Sequence, residues 1–352
     1  MKDKSAIVLA PPEDSGGIGR YAEQLRTKLA QEIDTEHLAL HENMNSLDYI
    51  NTAVRATDGD IAHLHFEYGQ FRPKLLYAPL FFSVLFFLTR LRNVPVIVTV
   101  HEVWTTETVG KFRYRYVWLV HLLLSMTISQ LVFMTESSES DFRPQKVSKH
   151  SIVPHGVDIG AVHDISISHA RSMLDLGIDD TIVSQIGYVS RRKGTDEFLK
   201  LANNHPEYTF VVAGGPLREE DTKYYKRVIE SVPANACVTG VLPDDEFHAA
   251  FIATDVAVLA YRDIRQSGIL NWCFAYGVPV VCRAIDRFEN LSEQGAPLVL
   301  FGESDEYPSI DTALSTALDE TETRSQAMRE FGNKNDLARV AEQYINLYET
   351  LA

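Results

Sequence analysis

Three cations in succession, Arg191-Arg192-Lys193, precede Gly194 just beyond an apolar β-branched run, Ile182–Ile186, in a chain whose formal net charge is −15. An arginine grips phosphate oxygens with a bidentate fork and a lysine adds a mobile point charge, so Arg192 and Lys193 suit an anion such as a diphosphate. A solvated basic turn is the plainer alternative. The loop Pro12-Glu13-Asp14-Ser15-Gly16-Gly17-Ile18-Gly19-Arg20 follows a similar run, Ala6–Ala10. Gly16 and Gly17 let the backbone approach a ligand and leave helix-start amides open to an anion. The Gly-Gly-x-Gly spacing is not the dinucleotide fingerprint Gly-x-Gly-x-x-Gly, and an ordinary flexible turn reads equally well. A third element, Gln266-Ser267-Gly268-Ile269-Leu270, opens a helix after the run Val256–Ala260. Its small residues expose amides to phosphate, or Ser267 simply caps the helix.

His63 and His65 are two apart on the run Ile61–Phe66 and therefore point to one face of a strand, which Glu67 continues. No complementary ligand cluster accompanies them, so no metal is expected. His63 is expected to pack, while His65 and Glu67 line a cleft or orient other groups. His101-Glu102, directly after Val96–Val100, occupies a similar strand end, and His101 is expected to touch substrate. Asp58-Gly59-Asp60 has a spacing that often chelates a nucleotide-bound metal, but it precedes its strand. It falls at the amino end of the sheet, away from ligands, where a turn is the better reading.

These residues must be positioned by the elements around them. Short β-branched runs alternate with amphipathic stretches throughout, the pattern of parallel strands joined by crossover helices, so the class is α/β. Strands are predicted at 6–10, 61–66, 96–100 and 131–135 with helices near 18–31, 74–91 and 112–126, forming one doubly wound sheet. The pattern restarts with strands at 182–186, 208–213, 236–239, 256–260 and 278–282 and helices at 196–203, 219–232 and 244–253. A chain of 352 residues exceeds one core and fits two domains of about 150 to 200 residues. They are placed at 1–160 and 161–330, with the connection at Val153-Pro154-His155-Gly156-Val157-Asp158. A helical pattern runs from Glu320 to Leu351 with Gly332 as a break, and its last part, 331–352, is free to cross back to the first domain.

The 45% hydrophobic and 23% charged residues are those of an ordered globular protein, and the acidic balance argues against nucleic acid as a partner. Cys237, Cys273 and Cys282 lack metal-ligand spacing, which suggests core residues in a reducing compartment. Ala6–Ala10 is too brief for a signal peptide, so cytoplasmic residence is expected. The apolar stretch Leu75–Thr89 is shorter than the roughly 20 residues a spanning helix needs. Phe112-Arg113-Tyr114-Arg115-Tyr116-Val117-Trp118 mixes rings and cations as membrane interfaces do. The same segment also reads as a buried stripe of Phe112, Tyr116, Leu119 and Leu123, and both readings stay open.

Gly16-Gly17-Ile18-Gly19, His101-Glu102, Val153-Pro154-His155-Gly156-Val157-Asp158, Arg192-Lys193-Gly194, Val212-Ala213-Gly214-Gly215-Pro216 and Tyr276-Gly277-Val278-Pro279-Val280-Val281 occur in this order. As an ordered set spanning nearly the whole chain, they resemble family 4 of the retaining glycosyltransferases; singly most are weak. The resemblance implies the GT-B fold, two Rossmann-like doubly wound domains facing an inter-domain cleft, with acceptor mainly on the first and nucleotide sugar mainly on the second. It implies that Arg192 and Lys193 hold the donor diphosphate, that Gly17 adds a backbone contact, and that His101 contacts the donor sugar near the reacting carbon. Gly215 and the segment 266–270 are expected in the donor site.

The activity so implied is a metal-independent hexosyl transfer from a UDP- or GDP-sugar to a glycan or lipid-linked acceptor. No cofactor is expected, and contact with the inner face of the cell membrane fits. Retention needs no protein nucleophile if the acceptor hydroxyl attacks from the face that the leaving group vacates, with the departing phosphate as its base. One departure stands out. The family commonly has two glutamates eight residues apart, and counting back from Gly277 puts Ile264 and Trp272 at those places. Asp263 or Gln266 is the available substitute for the first, and Asn271, after a one-residue shift, for the second. A nucleotide-sugar epimerase and a non-catalytic nucleotide-sugar-binding subunit therefore stand as alternatives.

Overall fold

The computed structural model describes residues 4–41, 43–71, 75–142, 149–217, 219–264 and 267–351. Every named strand among them belongs to one of two parallel six-stranded sheets. The first comprises β1 (Ser5–Ala10), β2 (Asp34–Ala39), β3 (Ile61–Phe66), β4 (Val96–Val100), β5 (Gln130–Phe133) and β6 (His150–Ile152), in the order β2-β1-β3-β4-β5-β6. The second comprises β7 (Ile182–Ile186), β8 (Thr209–Ala213), β9 (Ala236–Val238), β10 (Val256–Leu259), β11 (Val280–Arg283) and β12 (Val299–Phe301), in the order β12-β11-β10-β7-β8-β9. β3, β4 and β7 are buried at every position, which is why their apolar residues occur at both odd and even places and not in strict alternation.

The expected α/β class, with two doubly wound sheets, is the observed one. The two sheets differ in winding. In the first, the strand order reverses between β1 and β3, as in flavodoxin-like sheets; in the second it reverses between β7 and β10, the order of dinucleotide-binding sheets. At such a reversal the connecting loops part at the carboxyl ends of the strands and leave a crevice for ligands.

The chain divides into two compact units, one of residues 1–156 with 337–352 and one of residues 157–336. The helical pattern expected from Glu320 to Leu351 is two helices, Thr321–Lys334 and Leu337–Leu351. Gly332 lies inside the first and packs on the Phe274 backbone, so the break falls at Asn335-Asp336 instead. The second helix belongs to the first unit, where Val340, Ala341, Tyr344 and Tyr348 join Tyr21, Leu25 and Leu29 on one face of the first sheet. The opposite face carries an aromatic core of Phe66, Phe71, Phe81 and Phe82.

β2, β6 and β12 escape the sequence reading for one physical reason: each pairs on one side only, so none needs a continuous apolar run. The helix predicted from Lys74 begins at Ala78, and Lys74 itself lies outside the described residues. Helix Lys111–Thr127 corrects one reading. Its buried face is Val117, Val120, His121, Leu124 and Thr127, whereas Phe112 is 88% and Leu119 40% exposed, so the stripe expected through Phe112 and Leu119 is not the buried one. The neighbouring helix Ala78–Arg92 exposes Phe87 and Leu91. No helix among the described residues is long and apolar enough to cross a membrane.

Candidate functional site

In the second unit the chain leaves β7 through Gly187, makes a single 3-10 turn at Arg191–Lys193 and enters helix Thr195–Asn204. The Gly187 N–H donates to the Ala213 carbonyl at 2.9 Å and the Val189 N–H to the Gly215 carbonyl at 2.8 Å, which lays Gly215 alongside this loop. Gln185 Nε2 donates to the Lys193 carbonyl at 2.7 Å. Arg262, just beyond β10, closes the switch point. Its backbone N–H donates to the Arg192 carbonyl at 2.8 Å and its guanidinium to the Arg191 carbonyl at 2.6 Å. The same guanidinium grips both oxygens of Asp196 at 2.9 Å, and Tyr224 donates to Asp196 at 2.6 Å. Arg262 is thus neutralised by Asp196, while Arg192 and Lys193 have no carboxylate partner among the described residues.

Gly187 has φ 97°, and a Cβ there would lie 2.8 Å from Ile269 Cδ1 and 3.1 Å from Lys193 Nζ. The lysine ammonium and the Ile269 side chain therefore rest directly over the Gly187 backbone, with the ring of Tyr261 5.2 Å from Nζ. Burial, with the Arg192 charge as the lesser cause, pushes Lys193 down to about 8. A cation so placed is short of a counter-charge, a condition that an anionic ligand relieves. Ser267 accepts the Leu270 N–H at 3.1 Å, so it does cap helix Gly268–Tyr276, and around Gly268 a Cβ would meet no atom within 4 Å. Gln266 lies outside the described residues. Asp263 is exposed and Asn271 half-buried, while Ile264 and Trp272 pack into the unit's apolar core.

In the first unit, helix Gly17–Leu29 starts from the loop after β1. A Cβ on Gly19 would lie 2.0 Å from the Pro12 carbonyl oxygen, so only glycine lets the helix settle on that turn, whereas one on Gly17 would meet nothing within 4 Å. The first helical bond runs from the Arg20 N–H to the Gly16 carbonyl, and the amides before it have no intrahelical partner. No acidic side chain stands in this first turn.

Behind the loop lies a set of imidazoles. His65 Nδ1 is 3.0 Å from His101 Nε2, and Tyr21 stands edge-on to both rings and 4.0 Å from that of His155. His63 contacts the Tyr348 hydroxyl at 2.6 Å and the Thr99 hydroxyl at 2.9 Å. Burial drives His63 down to about 3 and holds His65 and His101 well below the ordinary imidazole range. His65 is fully buried and His101 is 5% exposed, so His65 stands behind His101 rather than lining an open surface. The Glu67 carboxylate folds back over Gly69, and Glu102 is half-buried. Asp60 accepts the Ser5 N–H at 2.8 Å at the amino end of β1, and Asp58 pairs with Arg92 at 2.7 Å, so both serve the turn.

Sequence reasoning passed over Tyr21, Gln185, Arg262 and the tyrosines of the last helix. Arg262 carried a signal, since it stands at the carboxyl end of β10 as Arg192 does for β7. Tyr344 and Tyr348 carried none that points to His63 and Thr99, which precede them by more than two hundred residues.

No family model matches the chain. An alpha-galactosylglucosyldiacylglycerol synthase of Streptococcus pneumoniae is 29% identical over 129 residues, 35% of this chain and 34% of that protein. A processive diacylglycerol alpha-glucosyltransferase of Acholeplasma laidlawii is 25% identical over 207 residues, 55% of this chain and 61% of that one. The chain thus matches about a third and about three fifths of the length of these curated relatives. Among solved structures, HepE of Anabaena in complex with UDP-glucose aligns over 99% of this chain and 100% of its own with a TM-score of 0.76, at 12% identity. That likeness is one of fold, and the fold is the GT-B type of two doubly wound α/β units.

Proposed function

We propose that this chain is a retaining, metal-independent glycosyltransferase of family 4 type that moves a hexose from a UDP- or GDP-sugar to a lipid-linked or glycan acceptor. The observation that carries the proposal is the pair Arg192 and Lys193, without carboxylate partners among the described residues at the switch point of the second sheet, on a fold shared with a protein that binds UDP-glucose. The donor diphosphate would meet both cations, and its charge would return Lys193 fully to the ammonium form. Cations fixed in advance stabilise the charge that grows on the departing diphosphate and cost no reorganisation during the reaction.

The remaining parts of the proposal come from the resemblance to family 4. His101, kept neutral by burial, offers a hydrogen bond to the donor sugar without adding a charge. The acceptor hydroxyl attacks from the side that the diphosphate leaves and gives its proton to the leaving phosphate. UDP and a lipid acceptor are favoured within the proposal by the names of the relatives and of the HepE complex. The exposed Phe87, Leu91, Phe112 and Trp118, on two adjacent helices that also carry Arg113 and Arg115, suit peripheral contact with an anionic, cytoplasmic-side bilayer.

The test is a thermal-shift screen of UDP- and GDP-sugars followed by transfer from the stabilising donor to diacylglycerol and glycolipid vesicles. One donor should stabilise the chain, Lys193→Ala should lose that shift, and the product should keep the donor's anomeric configuration. Indifference to every nucleotide sugar would defeat the reading. Ile264 and Trp272, apolar and packed where the family carries glutamates, favour one second reading, a non-catalytic binding subunit. It predicts the same donor shift with no transfer to any acceptor.

A further inference from the structure

A different cluster in the second unit has the composition of a transition-metal site. Asp244 and His248 stand one turn apart on helix Asp244–Ala253, so their side chains share a face. His163, from the segment between the turn at Ile159–Ala161 and helix Ile167–Met173, stacks on His248 with ring centroids 4.1 Å apart and planes 14° from parallel. One ligand atom from each of the three residues lies within 4.8 Å of the other two. Between His248 Nε2 and Asp244 Oδ2 the separation is 3.9 Å.

Tyr276 supplies the support that such a site needs. Its hydroxyl lies 2.6 Å from His248 Nδ1 and accepts the His163 backbone N–H at 2.9 Å. With its hydrogen on Nδ1, His248 donates to Tyr276 and turns the Nε2 lone pair toward Asp244. Fixing one imidazole nitrogen through an outer partner, so that the other is aimed at a metal, is the usual arrangement around a metal-bound histidine. Trp272 stands edge-on to the same ring at 4.9 Å and limits its rotation.

We propose that His163, Asp244 and His248 form a zinc site. Two imidazoles and one carboxylate are the donor set that zinc accepts with a water as fourth ligand, and they suit calcium or magnesium poorly. At bond lengths of about 2.0–2.2 Å the donor atoms of a tetrahedral site sit roughly 3.5 Å apart, so the cluster closes by about 1 Å on loading. The exposed Asp244 side chain can make that movement. The ion fastens the segment around His163, six residues past the start of the second unit, to the body of that unit. It takes no part in the chemistry proposed for Arg192 and Lys193, and it stands or falls separately.

The experiment uses the full chain without a histidine tag, stripped by chelator and titrated with Co²⁺ and Zn²⁺. One equivalent of Co²⁺ should give the visible absorption of a four-coordinate nitrogen and oxygen site, and Zn²⁺ should bleach it. Asp244→Asn and His163→Asn should each weaken zinc by at least ~10-fold, and Tyr276→Phe less. Zinc should raise the melting temperature of the wild type and not of Asp244→Asn. Asp245, whose carboxylate is 3.9 Å from His163 Nδ1, provides the control, since Asp245→Asn should keep the cobalt spectrum. Asp244 is exposed, so its near-isosteric variant folds even if the His163 variant does not. Absence of a cobalt band at one equivalent, or zinc affinity unchanged by Asp244→Asn, overturns the site.

Discussion

Nδ1 of His65 lies 3.0 Å from Nε2 of His101, and the two rings share one hydrogen between them. His65 Nε2 has no hydrogen-bond partner among the described residues, so among them the hydrogen bonding of this fully buried ring runs through Nδ1 to His101. If His65 donates, His101 Nε2 accepts and its proton sits on Nδ1; if His101 donates, Nδ1 is an acceptor. His65 therefore sets what His101 can offer a sugar hydroxyl. His65→Phe should lower kcat about 10-fold while changing the KM for nucleotide sugar much less, and His65→Gln should recover part of the loss. Equal kcat for the wild type and His65→Phe would remove His65 from the mechanism.

The same imidazoles make the first unit acid-sensitive. In the unfolded chain each takes a proton near 6.5, whereas folded His63 resists until about 3. Between those values the unfolded chain binds more protons, so stability is full above about pH 6.5 and falls as the pH drops. His63 alone should remove roughly 1.5 kcal/mol between pH 6.5 and about pH 5, and His65 and His101 act in the same direction. Urea titrations of the whole chain at the two pH values measure this, and His63→Asn should flatten the difference. A wild-type midpoint that is the same at both would contradict the buried, neutral state.

How far such features were visible in the sequence depends on whether local pattern or distant contact decides them. β3, β4, β7 and β10 are paired on both sides, buried at every position and mostly apolar, so the runs at 61–66, 96–100, 182–186 and 256–260 could be placed directly. β2, with its sequence Asp-Thr-Glu-His-Leu-Ala at a sheet edge, could not. Strand ends also told where Arg192, Lys193 and His101 would lie. What those groups touch was hidden, because Arg262 reaches Asp196 and Tyr348 reaches His63 through the tertiary fold alone. Of the two readings open for helix Lys111–Thr127, the buried stripe through Phe112 fails because local pattern does not say which face meets the sheet, and the fold turns Phe112 outward.

The Tyr348 hydroxyl lies 2.6 Å from His63 Nδ1, and that of Tyr344 lies 2.8 Å from the Thr99 hydroxyl. These bonds tie the last helix to the middle strands of the first sheet. Tyr348→Phe keeps the ring but strips a buried nitrogen of its partner, which should cost about 1–3 kcal/mol in chemical denaturation. The cost should vanish in the double variant with His63→Leu, where no orphan nitrogen remains. Strict additivity of the two changes would contradict the coupling.

Gly17 and Gly19 are two residues apart and should respond oppositely to alanine. At Gly19 a Cβ would overlap the Pro12 carbonyl, a backbone atom that cannot step aside, so Gly19→Ala should destabilise by more than about 2 kcal/mol. At Gly17 the space is open and the position begins a helix, so Gly17→Ala should stay within about 0.5 kcal/mol of wild type. Thermal denaturation of the two variants decides the matter. Equal losses would mean that the turn does not press on the helix as the structure has it.

Lys193 gives nucleotide binding a distinctive pH dependence. Its pKa of about 8 in the free protein comes from burial and from Arg192, and a bound diphosphate favours the ammonium form. Below about pH 8 the lysine is already charged and affinity should be flat. Above it, binding must take up a proton, so affinity should fall toward tenfold per pH unit until the bound-state pKa is passed. Isothermal titration with UDP across this range provides the curve. Lys193→Ala should bind roughly 10- to 100-fold more weakly below pH 8, as expected for a lost charge-assisted hydrogen bond, and should lose the pH slope. Lys193→Arg stays charged and should also lose the slope while keeping part of the affinity. If the wild-type slope survives in Lys193→Ala, the titrating group is another one and the diphosphate contact assigned to Lys193 fails with it.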